Sequence, residues 1–449
     1  MRRSALLLLL LLAFALPPQP RVHAQVGITD HPTAFVDVNV LPMTTGSERV
    51  LEDQTVLVRG EEIAEVGPAA DVDVPSGARR IEGKGHYLLP GLAEMHGHVP
   101  APSDQPAFTE NVLLMYLANG VTTVRGMIGK PGQLKLRARA NGGETLSPTL
   151  YLAGPPFTRN SVQSPEQARR MVRRQEEAGW DFVKVLAGAG MSWAEYGAIA
   201  ETAREEGIPF VGHVPSKVGL MRALEAGQQT IDHLDGYVDF VGGREKPLSE
   251  ERLRRAVRKT QKAGTWVVPT MAFWETFVGA AALDGLTSYP ELKYMPPEQV
   301  SQWTDRHRER RQAPDFDQAE AQRLVQSRLR VLKALHEGGA RIIFGTDSPQ
   351  QFSVPGFSVH REVKRMKDAG MTSYEILVTA TRNVGRYLQE KDDFGTVEAG
   401  GRADLLLLEK NPLEGLSCLR DRVGVMTRGR WLPEDELQRR LQQIVASYH

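Results

Sequence analysis

The chain has 449 residues, of which 41% are hydrophobic and 24% are charged, which is typical of one large folded domain with a smaller one. This composition excludes disordered and fibrous proteins. The 55 basic residues balance the 55 acidic residues, and no basic stripe suits nucleic acid or an anionic lipid surface. Cys418 is the only cysteine, so no disulfide can form within the chain, and stability must come from other interactions.

The first 24 residues have the pattern of a secretory signal peptide. Arg2 and Arg3 precede an apolar block at residues 5–16, and a small-residue site ends at Ala24. The block is too short to be a membrane span. We therefore predict export, to the periplasm or outside the cell, with a mature chain that begins near Gln25 and is not held in a membrane. Without the three arginines of this segment, 52 basic residues face 55 acidic ones, a net charge near −3.

Two β-rich segments flank a central body. Residues 25–88 contain short β-like runs such as "QTVLVRGEEIAEVGP", with a turn at Arg-Gly. Residues 394–449 also contain short β-like runs, followed by a C-terminal helical pattern that carries Leu437 and Leu441. We predict that both segments pair into one small sheet domain outside a body formed by residues 89–393.

The central body alternates short apolar runs with helical patterns. Eight runs are present, at residues 92–98, 121–127, 149–154, 182–187, 209–214, 230–234, 265–271 and 340–348. Capping boxes that begin at Ser192 and Thr372 mark two helix starts. Eight alternations predict a (β/α)₈ barrel. A doubly wound open sheet is the alternative, but the chain has no dinucleotide-binding glycine fingerprint. Residues 275–338 predict a solvated helical insertion near the barrel mouth.

Polar side chains interrupt or end five of these runs. They are His96, His98, Lys184, His213, His233 and Asp347. His96 and His98 are two residues apart, so on a strand they face the same side. Each residue alone has a structural explanation, such as a core histidine, a lysine that reaches the surface or a helix N-cap aspartate. Their joint position at strand ends is hard to explain in structural terms and indicates a metal site.

The chain resembles the amidohydrolase superfamily, and within it the imidazolonepropionase-related, prolidase-like branch. The resemblance is carried by "PGLAEMHGH", "FGTDSP", "TRNVGR" and "FGTVEAGGRADLLLL", in that order along the chain. It implies an α/β fold in which a (β/α)₈ barrel carries a small β-sandwich built from both chain ends. It also implies a hydrolase of the metal-dependent class.

The resemblance implies a pair of divalent metal ions. His96, His98 and Asp347 would bind one ion, and His213 and His233 the other. A carboxylated Lys184, formed with carbon dioxide, would bridge the two ions. Zinc suits imidazole and oxygen ligands best, although manganese or cobalt could serve.

The expected reaction is cleavage of the C–N bond of a small amide by a hydroxide that bridges the metals. The expected substrate is a dipeptide such as Xaa-Pro, an N-acyl amino acid or an ochratoxin-like amide. Asp347 would pass the hydroxide proton to the leaving nitrogen, and Tyr237 would donate to the oxyanion. We expect a homo-oligomer.

Three further residues are weaker candidates for contacts with the substrate. Arg125 and Arg159 could bind a substrate carboxylate, and His360 could line the pocket, although a helix-start position explains His360 better. Cys418 lies in the small domain, where we expect no catalytic role.

Two other function classes remain open from the sequence. A mononuclear cyclic-amide hydrolase or deaminase would have no use for the bridging Lys184. A non-catalytic barrel scaffold would not need all six ligands. The number of metals bound per chain distinguishes these alternatives.

Overall fold

The computed structural model describes residues 31–46, 48–186, 190–243 and 247–448. The predicted signal peptide therefore lies outside the described residues, as does Ala187 at the end of the predicted fourth strand. Within the described ranges, no helix has both the length and the apolar character to cross a membrane.

Five strands precede the central body. They are β1 (Thr33–Val40), β2 (Leu51–Arg59), β3 (Glu62–Pro68), β4 (Arg79–Glu82) and β5 (Tyr87–Pro90). β2 and β3 form an antiparallel hairpin, and Gly60 at its turn has a φ of +58°, a conformation that glycine adopts without steric cost. The "QTVLVRGEEIAEVGP" run therefore forms two paired strands.

Each of the eight predicted runs of the body contains a short parallel strand. They are β6 (Leu92–Gly97), β7 (Val121–Gly126), β8 (Thr149–Leu152), β9 (Val183–Val185), β10 (Phe210–Gly212), β11 (Thr230–Asp232), β12 (Trp266–Val268) and β13 (Arg341–Ile342). β6 to β8 form one hydrogen-bonded set and β9 to β13 another. Backbone bonds join the sets on both sides: Gly154 N donates to Phe182 O at 2.9 Å, and Met95 N donates to Phe344 O at 2.8 Å. These bonds link the two parallel sets, as the predicted (β/α)₈ barrel requires.

Helices follow the strands and cover the barrel. They are α1 (Pro106–Ala118), α2 (Gln133–Asn141), α3 (Pro165–Glu177), α4 (Trp193–Glu205), α5 (Leu220–Glu225), α6 (Tyr237–Val241), α7 (Glu250–Ala263), α8 (Met271–Phe277), α9 (Leu283–Thr287), α10 (Pro297–Gln312), α11 (Gln318–Glu337), α12 (Val359–Asp368), α13 (Ser373–Ala380) and α14 (Arg382–Leu388). The capping boxes at Ser192 and Thr372 begin α4 and α13 as predicted. The predicted insertion consists mainly of α9, α10 and α11.

Three strands and a helix end the chain. They are β14 (Leu405–Leu408), β15 (Arg422–Thr427), β16 (Arg430–Pro433) and α15 (Glu434–Ala446). These strands join the first five in one sheet of order β16-β15-β14-β5-β1-β2-β3, with β4 beside β1. The backbone of β3 also bonds to the segment before β14, where Ile63 N donates to Gly401 O at 2.9 Å.

The β-domain formed by both chain ends is therefore one continuous sheet rather than two separate ones. It surrounds an apolar core to which both ends contribute, with Phe35 and Val56 from the first half and Leu405 and Trp431 from the second. The rings of Phe35 and Trp431 meet edge to face, with centroids 5.2 Å apart.

Candidate metal centre

The ends of β6 and β13 bring Asp347 beside the two histidines of the first strand. Asp347 N donates to His96 O at 2.9 Å. Gly345 permits this approach, because a Cβ at that position would lie 2.9 Å from the backbone nitrogen of His96. Asp347 has a φ of +60°, which is uncommon for a residue other than glycine and is often found at functional sites.

The carboxylate of Asp347 joins three histidines. Its Oδ1 lies 2.6 Å from His98 Nε2 and 3.7 Å from His96 Nε2. Its Oδ2 lies 3.6 Å from His233 Nδ1. Gln350 donates an amide N–H to the same Oδ1 at 2.6 Å, and its amide nitrogen lies 2.9 Å from His98 Nε2. Asp347 is thus the central acceptor of the cluster.

Lys184 on β9 lies next to His96 in the protein interior. Its side chain is completely buried, and its Nζ lies 3.2 Å from His96 Nε2. Gly212 on the neighbouring strand leaves room for it, because a Cβ there would come within 2.9 Å of Lys184 Cγ. The lysine therefore points inward, contrary to the alternative of a side chain that reaches the surface.

His213 and His233 complete the cluster from β10 and β11. The centroid of the His233 ring lies 4.3 Å from that of His96 and 4.5 Å from that of His213. His213 Nδ1 hydrogen-bonds to Asp235 Oδ2 at 2.7 Å, and His233 Nδ1 to Thr270 Oγ1 at 2.7 Å. The structure thus brings together all six residues that the sequence predicts as metal ligands.

Burial and charge set the protonation of this cluster. Burial is the largest factor that lowers the pKa values of His96, His98 and His233, so these imidazoles are neutral near pH 7. Burial also lowers the pKa of Lys184 to about 8, against the opposing effect of Asp232 and Asp347.

The pKa of Asp347 is also lowered, but for a carboxyl this favours the charged form. Burial opposes its ionisation, but the hydrogen bond with His98 and the electrostatic effect of neighbouring groups such as Lys184 outweigh burial and hold the pKa of this carboxyl below its usual range. The cluster therefore contains neutral imidazoles beside an ionised carboxylate.

This set of donors fits a divalent metal. The candidate ligand atoms of His96, His233 and Asp347 all lie within 4.8 Å of one another, and no other such group occurs in the described part of the chain. Neutral imidazole and carboxylate oxygen are the ligands that zinc and related ions bind. His98, Lys184 and His213 surround this group and could supply further ligands.

Two sequence-derived candidates have partners other than the histidine cluster. Tyr237 is buried, and its hydroxyl hydrogen-bonds to Thr260 Oγ1 on α7 at 2.6 Å. Arg125 is also buried, and its guanidinium contacts Asp232 Oδ1 at 3.3 Å and donates to Met95 O at 2.6 Å. Both polar groups therefore have protein partners in this structure, and the oxyanion role of Tyr237 and the carboxylate-binding role of Arg125 stay predictions.

The remaining candidates lie apart from the cluster. Arg159 is exposed, and its guanidinium lies near Gly190. His360 lies in the first turn of α12, where burial lowers its pKa to about 3, with further lowering by Arg420 and two other arginines. Cys418 is buried in the C-terminal part of the chain.

The structure adds partners that the sequence reasoning missed. Asp232 Oδ2 lies 3.0 Å from His96 Nδ1, and Asp235 binds His213. Both aspartates flank His233 in "IDHLDG", so the sequence itself places two acidic partners beside a candidate ligand. Arg328 on α11 donates to the backbone oxygen of His233, and no local pattern in the sequence indicates this contact.

Residues 87–432 match the amidohydrolase family, and the chain belongs to it. Ochratoxinase from Aspergillus niger is 23% identical over 443 residues, which cover 84% of this chain and 81% of that protein. Imidazolonepropionase from Micrococcus luteus is 34% identical over 91 residues, 20% of this chain and 22% of that one. The family match confirms the superfamily that the motifs indicated.

Solved structures agree with the fold. A bottromycin amidohydrolase has a TM-score of 0.73 and 26% identity, and the match covers 93% of this chain and 90% of that one. A Xaa-Pro dipeptidase with methionine in its active site has a TM-score of 0.70 and 20% identity, and the match covers 90% of this chain and 100% of that one. With its family and its metal-binding cluster, the protein is a metal-dependent hydrolase that acts on carbon–nitrogen bonds.

Proposed function

We propose that this hydrolase uses two metal ions to cleave the amide bond of a dipeptide such as Xaa-Pro, an N-acyl amino acid or a comparable small amide. The observation that carries the proposal is the position of Lys184, whose amine is buried 3.2 Å from His96 Nε2 among the other candidate ligands. A single-metal site has no need for a lysine at this position.

The assignment of ligands follows the strands. His96, His98 and Asp347 would hold one ion, and His213 and His233 the other. Lys184 would join the two as a carbamate, because its neutral amine can attack carbon dioxide, form an N–C bond and release one proton. When bound, two divalent ions polarise the amide carbonyl and lower the pKa of water enough to supply hydroxide near neutral pH.

Residues of the chain would hold the ligands and move the proton. Asp235 and Thr270 fix the ring orientations of His213 and His233 through their hydrogen bonds. Asp347 is ionised and lies at the barrel mouth, so it can accept the proton of the attacking water and pass it to the leaving nitrogen. Zinc is the ion that we favour, given the histidine-rich set.

The relatives support the substrate class in outline. Their names describe enzymes that act on ochratoxin, on bottromycin and on Xaa-Pro dipeptides. All three names are consistent with hydrolysis of an amide in a small molecule or short peptide.

A combined assay of metal content and hydrolysis tests the proposal. The zinc-loaded protein should contain two metals per chain and should hydrolyse members of a panel of dipeptides and N-acyl amino acids. Lys184→Ala should lower metal content and activity together, and an excess of a short-chain carboxylic acid should restore part of the activity. Lys259→Ala on the exposed side of α7 is the matched control. Two metals and full activity in Lys184→Ala would reject the bridging role.

A mononuclear enzyme is the second candidate. It is favoured by the compact group of His96, His233 and Asp347, whose ligand atoms are close enough to hold one ion. A cyclic-amide hydrolase or deaminase would then contain one metal per chain with no loss of activity when Lys184 is replaced. Activity on cyclic amides but not on linear ones would identify this alternative.

A further inference from the structure

A cavity of about 420 Å³ lies between the barrel mouth and the helical insertion. Its lining includes Asp235, which binds His213, and Arg328, which bonds to the backbone of His233. Trp274 also lines it, and its ring centroid lies 6.1 Å from that of His233. The cavity thus adjoins the candidate metal centre through the immediate partners of two ligands, and its volume suits a small-molecule group.

One wall of the cavity is aromatic. Trp274 and Phe277 lie on α8 and meet edge to face, with centroids 4.8 Å apart. Phe277 is 44% exposed and lines the cavity, although Phe273 on the same helix is buried. Single exposed apolar side chains are common, but this one continues a row of rings that leads from solvent through Trp274 to His233.

The charges of the lining do not favour an ionic ligand. Three arginines face four acidic residues around the cavity. Arg328 lies 3.8 Å from Asp235, and Asp317 accepts the backbone N–H of Glu320 at the start of α11. These charges are largely balanced or already engaged, and the Arg328 guanidinium also lies over the Trp274 ring, 3.8 Å from its centroid. The exposed Phe277 ring is therefore the main apolar surface that remains available to a ligand.

We propose that this cavity binds an aromatic side group of the substrate and makes the enzyme selective for amides of aromatic amino acids. The inference rests on the proposed amide hydrolysis and names its substrate class. An aromatic ring placed against Trp274 and Phe277 would gain edge-to-face contacts and cover the exposed face of Phe277. A glycine or alanine substrate would leave that face in water.

Paired substrates test the selectivity. In one series the amine side of the amide carries glycine, alanine, leucine, phenylalanine or tryptophan, and in the other series the acyl side does. In one of the two series, kcat/KM for the aromatic members should exceed that for glycine by at least about tenfold. Equal values across both series, with clear hydrolysis, would overturn the aromatic assignment and leave the amidohydrolase activity intact.

Phe277→Ala should lower the aromatic-to-glycine ratio of kcat/KM about tenfold. Trp193→Ala is the matched control, because Trp193 is 43% exposed and does not line the cavity. An unchanged ratio in Phe277→Ala, or an equal fall in Trp193→Ala, would contradict the proposal.

Calorimetric binding separates failure of the pocket from failure of the catalytic assignment. If no substrate is hydrolysed, the proposed function fails, but phenylalaninamide should still bind more tightly than glycinamide and should lose that advantage in Phe277→Ala. If phenylalaninamide binds no more tightly than glycinamide, the aromatic site is rejected as well.

Discussion

Burial sets the protonation of the histidines around Lys184. In water an imidazole and a lysine amine carry charge more readily, whereas in this cluster desolvation lowers the pKa values of His96, His233 and Lys184. A metal ligand must offer a lone pair, so the same burial that costs solvation free energy prepares these side chains for metal. Asp347 supplies the compensating negative charge.

Replacement of Asp347 by Asn tests its role in proton transfer. The amide side chain keeps the shape and one oxygen but cannot accept the proton, so hydrolysis of an unactivated amide should fall by about 10² to 10⁴-fold. An ester whose leaving group needs no proton should lose less. Steady-state rates on both substrates, with metal content measured alongside, check this expectation.

Asp305→Asn on α10 is the control for this change, because the Asp305 side chain is 59% exposed and lies on the outer insertion. Near-normal amide hydrolysis by Asp347→Asn would show that another group moves the proton. An equal loss on amide and ester, with both metals still bound, would point to the same conclusion.

Strands and helices differ in how far the sequence specifies them. The six candidate ligands were predictable because strand periodicity places His96 and His98 on one side and because parallel strands end at one face of a barrel. Tyr237 begins α6 just after Gly236 and its hydroxyl bonds to Thr260 on α7, a contact that its position four residues after His233 did not indicate, and its oxyanion role stays a prediction. Arg328 could not be found, because its contact with His233 joins residues 95 positions apart.

At the level of helices, Glu362 links α12 to the start of α8. It lies on α12 and is fully buried, and its carboxyl oxygens accept the backbone N–H groups of Met271 and Ala272 at the start of α8, each at 2.9 Å. Burial raises its pKa to about 8, against the opposing effect of these hydrogen bonds. α8 carries the aromatic wall of the cavity, so this one carboxyl helps to position that wall.

The raised pKa of Glu362 predicts a specific pH dependence of stability. Between the unfolded pKa near 4.5 and the folded pKa near 8, the native state holds a proton that the unfolded state has released. The stabilisation from that proton is fully present below the unfolded pKa and is lost as pH rises through about 8, with a slope of at most ~1.4 kcal/mol per pH unit.

Glu362→Gln should remove this contribution. The free energy of unfolding of the wild type, measured with urea from pH 6 to pH 9, should fall more steeply than that of the variant. Glu298→Gln on α10 is the control. Glu298 is exposed, so this variant should have the same pH profile of unfolding free energy as the wild type. Parallel profiles for wild type and Glu362→Gln would contradict the expectation.

At the scale of the whole molecule, we propose that the chain is exported and loses its first residues. The basis is the signal-peptide pattern at residues 1–24. N-terminal sequencing of the native protein should therefore find an N-terminus within a few positions of Gln25. The Leu9→Asp variant should interrupt the apolar block and leave the precursor uncleaved. An intact Met1 in the native protein would reject export.

The two chain ends depend on each other because they share one sheet. β5 pairs with β1 in parallel and with β14 antiparallel, so the strands from the beginning of the chain and those from its end meet at the β5–β14 pair. Neither end can complete the core around Phe35 and Trp431 alone. We therefore expect the sheet to form only when the barrel has brought both ends together.

Arg402 is the polar link between this sheet and the barrel. It is 8% exposed, contacts Asp404 Oδ2 at 2.7 Å and donates to Thr123 Oγ1 on β7 at 2.6 Å. Its guanidinium also pairs with Asp392 and lies 4.3 Å from the centre of the Phe394 ring. A charge buried at this depth is stable only with its partners, so the arginine couples the two parts of the molecule.

Arg402→Met should therefore destabilise the whole molecule rather than the sheet alone. The change leaves Asp404 buried without its charge partner, for which we expect a loss of about 3–5 kcal/mol in the free energy of unfolding. Arg80→Met is the matched control, because Arg80 and Glu82 form a 3.8 Å pair whose side chains are 54% and 74% exposed, and exposed pairs contribute about 1 kcal/mol or less. Urea unfolding followed by far-ultraviolet circular dichroism and by tryptophan fluorescence measures both variants. A loss below about 1 kcal/mol in Arg402→Met, or two separate transitions in which the barrel keeps its wild-type midpoint, would show that the sheet and the barrel are not coupled through this arginine.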